Sequence, residues 1–372
     1  MEAVGETVSL VHEKLQSEPS LAIAFASTPY REAMPEIVAA ISNFLSPGCL
    51  LATVCETVVG GSREITSTPA LALWATSQGK IKDVRLLDQA TESLLGLSKP
   101  AAEATAAGAS DSPSAPTLLL IADPFSCPTE ELLAEIETLS PGLEVVGGLA
   151  SGANQPGANQ LWLNGECYSD GAIGVVISDI SPGGIRTSVS QGCQPVGNPF
   201  TVTRAESGLI FELGGRPALQ RLRELVATAT PKERDLMRRG LHVGVAVDES
   251  RLDQHEFLIR SIVGIDQERG AIAVAGRLDV GNTMQFHVRN VQTAAADLRA
   301  RLENESAAAA LLFTCNGRGA KMFGAPDREA SLVSRLLENA PLAGMSCAGE
   351  IGPIGSHNFL HGFTASIALF GE

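Results

Sequence analysis

Two distant stretches of this chain run through the same elements in the same order, and that repetition constrains the fold more than any single motif. In the first, "TLLLIADP" is followed by a helical "TEELLAEIETL", then by "LEVVGGLASG", an irregular stretch, and "GAIGVVIS". In the second, "ALLFTCNG" is followed by "DREASLVSRLLENA", then by "PLAGMSCAGEIG", an irregular stretch, and "GFTASIALF". Each reads as strand, helix, strand with a small-residue exit, loop, strand. Two common βαβ-like units could coincide by chance, but the shared glycine-rich exit favours duplication. Leu132, Leu133, Ile136 and Leu139 fall on one helical face with Thr129 as cap; Leu332, Val333, Leu336 and Leu337 do so with Asp327 as cap.

Other short apolar runs ("SLAIAFAS", "GCLLATVC", "TPALALWAT", "LHVGVAVD", "FLIRSIVGID", "GAIAVAG") are bounded by turn residues, which predicts strands. Apolar runs without alternation predict strands covered on both faces. The expected fold is mixed α/β (α+β): two pseudo-repeated sheet-and-helix halves around a shared cleft. A chain of 372 residues is too long for one ordinary core. A seam at "VATATPKERDLMRRG" sets the expected domains at 1–230 and 231–372. "PAAEATAAGASDSPSAP", residues 100–116, lacks bulky apolar side chains and reads as a mobile surface insertion.

Charge excludes some partners. With 27 basic against 42 acidic residues, the net charge of −15 leaves no basic face for nucleic acid or an anionic membrane. No apolar run has the length of a membrane span, and the acidic amphipathic N-terminus resembles no targeting peptide. Seven cysteines without close spacing predict free thiols, Cys49 and Cys55 among them buried in strands. A reducing compartment follows: the cytosol or, after loss of a transit peptide, an organelle interior.

Neither a P-loop nor a dinucleotide fingerprint is present, so no cofactor is expected. "GMSCAG" places Ala348 where a serine-hydrolase elbow needs glycine. His357 and His361 sit on a loop running into a strand, and His255-Glu256 lacks a second histidine, so no metal is expected either. What remains is the pair of turns "CNGRG" and "CAGEIG". Arg318 offers a planar fork that suits a carboxylate, and Glu350 an anion that suits an ammonium, so together they could hold a zwitterion. Alternatively Arg318 and Glu350 pair with each other and merely pin two loops. A third reading makes Cys315 the nucleophile of an enzyme with His361 and Glu350 as partners, and a fourth makes the chain a protein-interaction scaffold without ligand.

These residues resemble the FIST domain family. "FTCNGRG", "GMSCAGEIGPIG" and "FLHGFTASIALF" are similar to its C-terminal half. "QGCQPVGNPFTVTRAESGLIFELGGRPALQRLREL" and "VVGGLASG" with "DGAIGVVIS" are similar to its N-terminal half. The likeness runs from about residue 20 to 370. It implies a sensory, small-ligand-binding protein, amino acids being the suggested ligands, that reports to a protein signalling partner. Members occur beside signalling modules in bacteria and beside an F-box in animal proteins; no such segment fits before residue 20 here, so a free-standing member is expected. The family's turns fall on Cys315, Gly317, Arg318 and Gly319, on Gly349, Glu350 and Gly352, and on His361 and Thr364. Asn316 and Ser346 complete the expected ligand site. Gly362 departs from the family, which usually has asparagine there.

Overall fold

The repeated order of elements occurs three times, not twice. In the computed structural model, which describes residues 2–86, 115–180, 183–247, 257–276 and 278–371, a third copy precedes the two visible in sequence. It comprises strand Leu21–Ser27, helix Met34–Leu45, strand Leu50–Cys55, hairpin Thr57–Gly60/Arg63–Thr66 and return strand Leu71–Thr76. The second repeat has strand Thr117–Ala122, helix Thr129–Leu139, strand Glu144–Leu149, hairpin Leu161–Leu163/Glu166–Tyr168 and return strand Ala172–Ser178. The third has strand Ala309–Cys315, helix Arg328–Leu336, strand Leu342–Cys347, hairpin Glu350–Ile354/His357–His361 and return strand Thr364–Phe370. Residues 100–114 of the expected insertion, and His255-Glu256, lie outside the described residues.

Within each repeat the first strand is central. Its second strand pairs parallel on one side and its return strand antiparallel on the other: Ala24 faces Ala52 and Leu73, Leu120 faces Gly147 and Gly174, Leu312 faces Gly344 and Ile367. Glycine is required at two of these positions. A β-carbon on Gly147 or Gly344 would lie 1.9 Å from the carbonyl oxygen of Leu120 or Leu312.

The hairpins are exchanged cyclically. That of the first repeat pairs with the second strand of the third, through Val58 and Met345. That of the second pairs with the first, through Leu161 and Thr53. That of the third pairs with the second, through Glu350 and Gly148. Each sheet is thus completed by another repeat, so no repeat finishes its sheet alone.

The strands Leu21–Ser27, Leu50–Cys55, Thr117–Ala122 and Thr364–Phe370 are buried along their whole length, and Ala309–Cys315 from its second residue on, because both faces are covered, which is why their sequences do not alternate. Inward side chains from all three sheets share one core, where Phe25 and Phe313 meet edge to face with ring centroids 6.1 Å apart. Outward side chains of the first two sheets pack under their own helices. The caps differ from expectation. Thr129 is the first helical residue and gives no side-chain cap. Asp327 stands at the cap position with φ 62°, and its Oδ1 accepts the backbone N–H of Glu64 at 2.6 Å instead of capping its own helix.

By internal contacts the chain forms two compact units, Met1–Ser190 with Leu298–Leu360 and Thr364–Glu372, and Gln191–Asp297 with His361–Phe363. All three repeats, save His361, belong to the first. The second holds a seven-stranded sheet and the helices Ala218–Thr228 and Pro231–Arg239 over a core containing Val243, Phe286 and Val288. Thr230 and Glu233 form a reciprocal capping box on the second of these helices. The boundary expected near residue 230 falls between those two helices.

Candidate functional site

At corresponding points the three first strands end at or just before Ser27, Asp123 and Cys315, each following the last antiparallel pair of its sheet (Ala26–Leu71, Ala122–Ala172, Thr314–Ala365). Two of these exits are closed by structural hydrogen bonds. Ser27 Oγ donates to Thr68 O and accepts from Ala70 N, both at 2.8 Å. Asp123 accepts from Phe125 N, from Ser126 N and Oγ, and from Asn159 Nδ2. The third exit is built differently.

Arg318 is 1% exposed. Among the described ion pairs its acid is Glu329: its Nε donates to Glu329 Oε1 at 2.8 Å, and its Nη2 donates to the same oxygen. The other oxygen of Glu329 accepts the hydroxyl of Thr314. Burial by itself would lower the guanidinium pKa, but Glu329 reverses the sign and holds it raised. The expected loop-pinning pair is therefore a buried strand-exit-to-helix pair with another acid. Gly319 follows with φ 54° and open space about its missing β-carbon, so it serves the backbone conformation entering Gly319–Phe323 and relieves no steric obstruction.

Glu350 lies in the same neighbourhood, close enough for Arg318 to act on it electrostatically. It is 0% exposed. Thr364 donates to Oε2 through its N–H at 3.0 Å and its hydroxyl at 2.8 Å. Oε1 has no conventional hydrogen-bond partner; the thiol of Cys315, a weak donor, is what leans on this carboxyl. Burial outweighs Thr364, Arg318 and Cys315 and pushes the carboxyl up to about 8. At neutral pH Glu350 is thus mainly the neutral acid, not the fixed anion expected from sequence.

Glu350 faces Gly148 across the sheet, the position at which Val58 faces Met345 and Leu161 faces Thr53. Val58 and Leu161 are core residues. On the helix too the third repeat carries a charge where its sisters have uncharged residues. Buried Glu329 precedes Leu332 and Val333 with the spacing by which Met34 precedes Ile37 and Val38, and Thr129 precedes Leu132 and Leu133. Sequence reading passed over Glu329 because an acid in a first helical turn is ordinary; overlaying the three helices would have marked it.

The other expected residues are distributed around this cluster. Asn316 N donates to Cys347 O at 2.9 Å, and Gly317 N to Cys315 Sγ at 3.4 Å. Ser346 Oγ accepts from Thr57 N at 2.9 Å, while its carbonyl accepts from Ser151 Oγ at 2.6 Å, joining three repeats. Gly349 O accepts from Leu149 N at 2.8 Å. His361 is buried and groups with the second compact unit. Cys347 is buried, and burial raises its thiol well above the ordinary range. Glu64, on the hairpin donated by the first repeat, is raised to about 7 by burial and then by Glu329. All seven cysteines are free thiols; Cys55 ends a strand as expected, whereas buried Cys49 just precedes it. Among the described residues no group of three or more His, Cys, Asp or Glu is arranged to hold a metal, and no helix is long and apolar enough to cross a membrane.

The sequence matches the FIST N domain model over residues 20–216 and the FIST C domain model over 218–353. It is 39% identical over 378 residues to an uncharacterised protein of Mycobacterium tuberculosis (strain H37Rv), covering 99% of this chain and 96% of that one. An uncharacterised protein of Mycobacterium bovis is also 39% identical, over 379 residues, with 99% and 95% covered.

Proposed function

Because the chain belongs to the FIST family, whose domains are associated with signal transduction, we propose that it is a sensor for a small amine-bearing ligand. An amino acid, or a molecule with similar charged ends, is read at the exit of the third repeat. One observation carries this reading: among the described residues a fully buried carboxyl oxygen of Glu350 has no conventional hydrogen-bond partner, with only the weak thiol donor of Cys315 leaning on that carboxyl, where the sister repeats carry Val58 and Leu161. Leaving such an atom unsatisfied costs about 1–3 kcal/mol, and the fold has an apolar solution to the same position. A ligand ammonium supplies the missing donor. It also favours the ionised carboxylate, so binding at pH 7 drives the Glu350 proton into solvent while the ammonium keeps its own.

Cys315 and Thr364 lie against that carboxyl, and with the adjoining turn Asn316–Gly319 they would give the ligand its remaining contacts, while Arg318 stays with Glu329 and acts through its field. A ligand that ionises Glu350 changes the charge balance of the Arg318–Glu329–Glu64 cluster, which joins the first and third repeats, and this is how occupancy reaches a protein signalling partner. The nucleophile reading has less support, since a neutral Glu350 beside Cys315 supplies no base at pH 7. Seven unbridged thiols suit a reducing compartment such as the cytosol.

A thermal-shift series over the amino acids tests the reading. Saturation at 100 times Kd adds about 2.7 kcal/mol of stability. The ligand found should release a proton on binding between pH 6 and 8, measured by calorimetry in two buffers of different ionisation enthalpy. Glu350→Gln should abolish both signals. A shift that persists unchanged in Glu350→Gln would remove the site from this place.

A further inference from the structure

A groove of about 880 Å³ runs between the N-terminal helix Glu2–Leu15, the return strand and hairpin of the first repeat, and the starts of the strands of the third. We propose that it binds one amphipathic carboxylate, an apolar chain with an anionic head such as a medium-chain fatty acid. Three observations point there. First, its wall is apolar, with Val58, Ile65, Leu71, Trp74 and Phe370, and exposed Leu10 lies at its edge. An occupant's hydrocarbon therefore leaves water on entering. Second, its cations are Lys14 and Arg63, both exposed and neither ion-paired among the described residues, in a chain whose net charge is −15. Uncompensated cations beside an apolar wall select an anionic head over a cationic or neutral one. Third, the Trp74 ring, tilted against Phe370 with centroids 4.6 Å apart, is buried, and its indole N–H meets no acceptor among the described residues. Ligand oxygen is one way to supply the acceptor that this donor lacks.

None of the residues invoked belongs to the Glu350 cluster, so this site goes beyond the sensor reading and stands or falls separately.

Titration with dodecanoate below its micellar range, followed by calorimetry and by tryptophan emission, tests the proposal on the intact chain. One molecule per chain should bind saturably and perturb the emission. The double variant Lys14→Glu/Arg63→Glu, both at exposed positions, should weaken binding about tenfold or more, with any amino-acid-induced thermal shift unchanged. Dodecyltrimethylammonium should bind the native chain at least about tenfold more weakly than dodecanoate. Absence of saturable binding, unchanged affinity in the charge-reversed variant, or equal binding of the cationic amphiphile would each overturn it.

Discussion

The first two repeats and the third solve one architectural problem with different chemistry. All three place a polar residue where the central strand ends. In the first, Ser27 is consumed by Thr68 and Ala70; in the second, Asp123 is consumed by Phe125, Ser126 and Asn159. Around those exits the core is apolar, with Met34, Val58 and Leu161. The third repeat has Glu329 and Glu350 at the matching places, adds Arg318, and leaves one carboxyl oxygen unpartnered. Because the sister repeats show that the fold does not need these charges, their presence is evidence about function. A family of equivalent positions inside one chain serves as its own control.

The comparison breaks most visibly at Arg318. Arg318→Ala would leave Glu329 buried without its cation, a loss of about 3–5 kcal/mol measured by urea denaturation. Changing both partners to methionine, the residue of the first repeat's helix, should recover most of it. A mild effect of Arg318→Ala would mean that the pair is not desolvated as described.

A smaller effect is the pH dependence of stability. Folded Glu350 keeps its proton up to about pH 8, whereas the unfolded chain releases it near the ordinary value of 4.5. The unfolded state therefore binds fewer protons between those limits, and stability falls as pH rises through that window. The slope approaches about 1.4 kcal/mol per pH unit. Glu64, raised to about 7, adds the same sign over the lower part of the window. Glu350→Gln should flatten the slope above pH 7, and an unflattened slope would assign the titration elsewhere.

Much of this was legible in the sequence. The continuous apolar runs marked buried strands, and the small-residue exits marked two of the three repeats. The first repeat was hidden because its helix begins at Met34–Pro35, directly after the 3₁₀ turn Thr28–Ala33, with no capping side chain to announce it. Cys315, Arg318 and Glu350 were named from their turns and Thr364 from the family resemblance, and the structure brings them together. Their partners were not legible. Arg318 was expected at Glu350 or at a ligand carboxylate because those groups sit on exposed-looking glycine turns. In the fold the Arg318 side chain is buried beneath a half-buried turn, and the acid it meets comes from the next helix. The charge state of Glu350 depends on burial by residues scattered over three repeats, which no local motif encodes.

If Glu350 serves function at a cost to the fold, replacing it by leucine, the residue that the second repeat uses, should stabilise the chain. Compared with the native chain by urea denaturation at pH 7.5, Glu350→Leu should be more stable by about 1–3 kcal/mol, with the native spectrum retained and amino-acid binding lost. A Glu350→Leu chain less stable than the native one, with Gln at the same position behaving alike, would show that the carboxyl is a structural member of the third repeat and contradict the account.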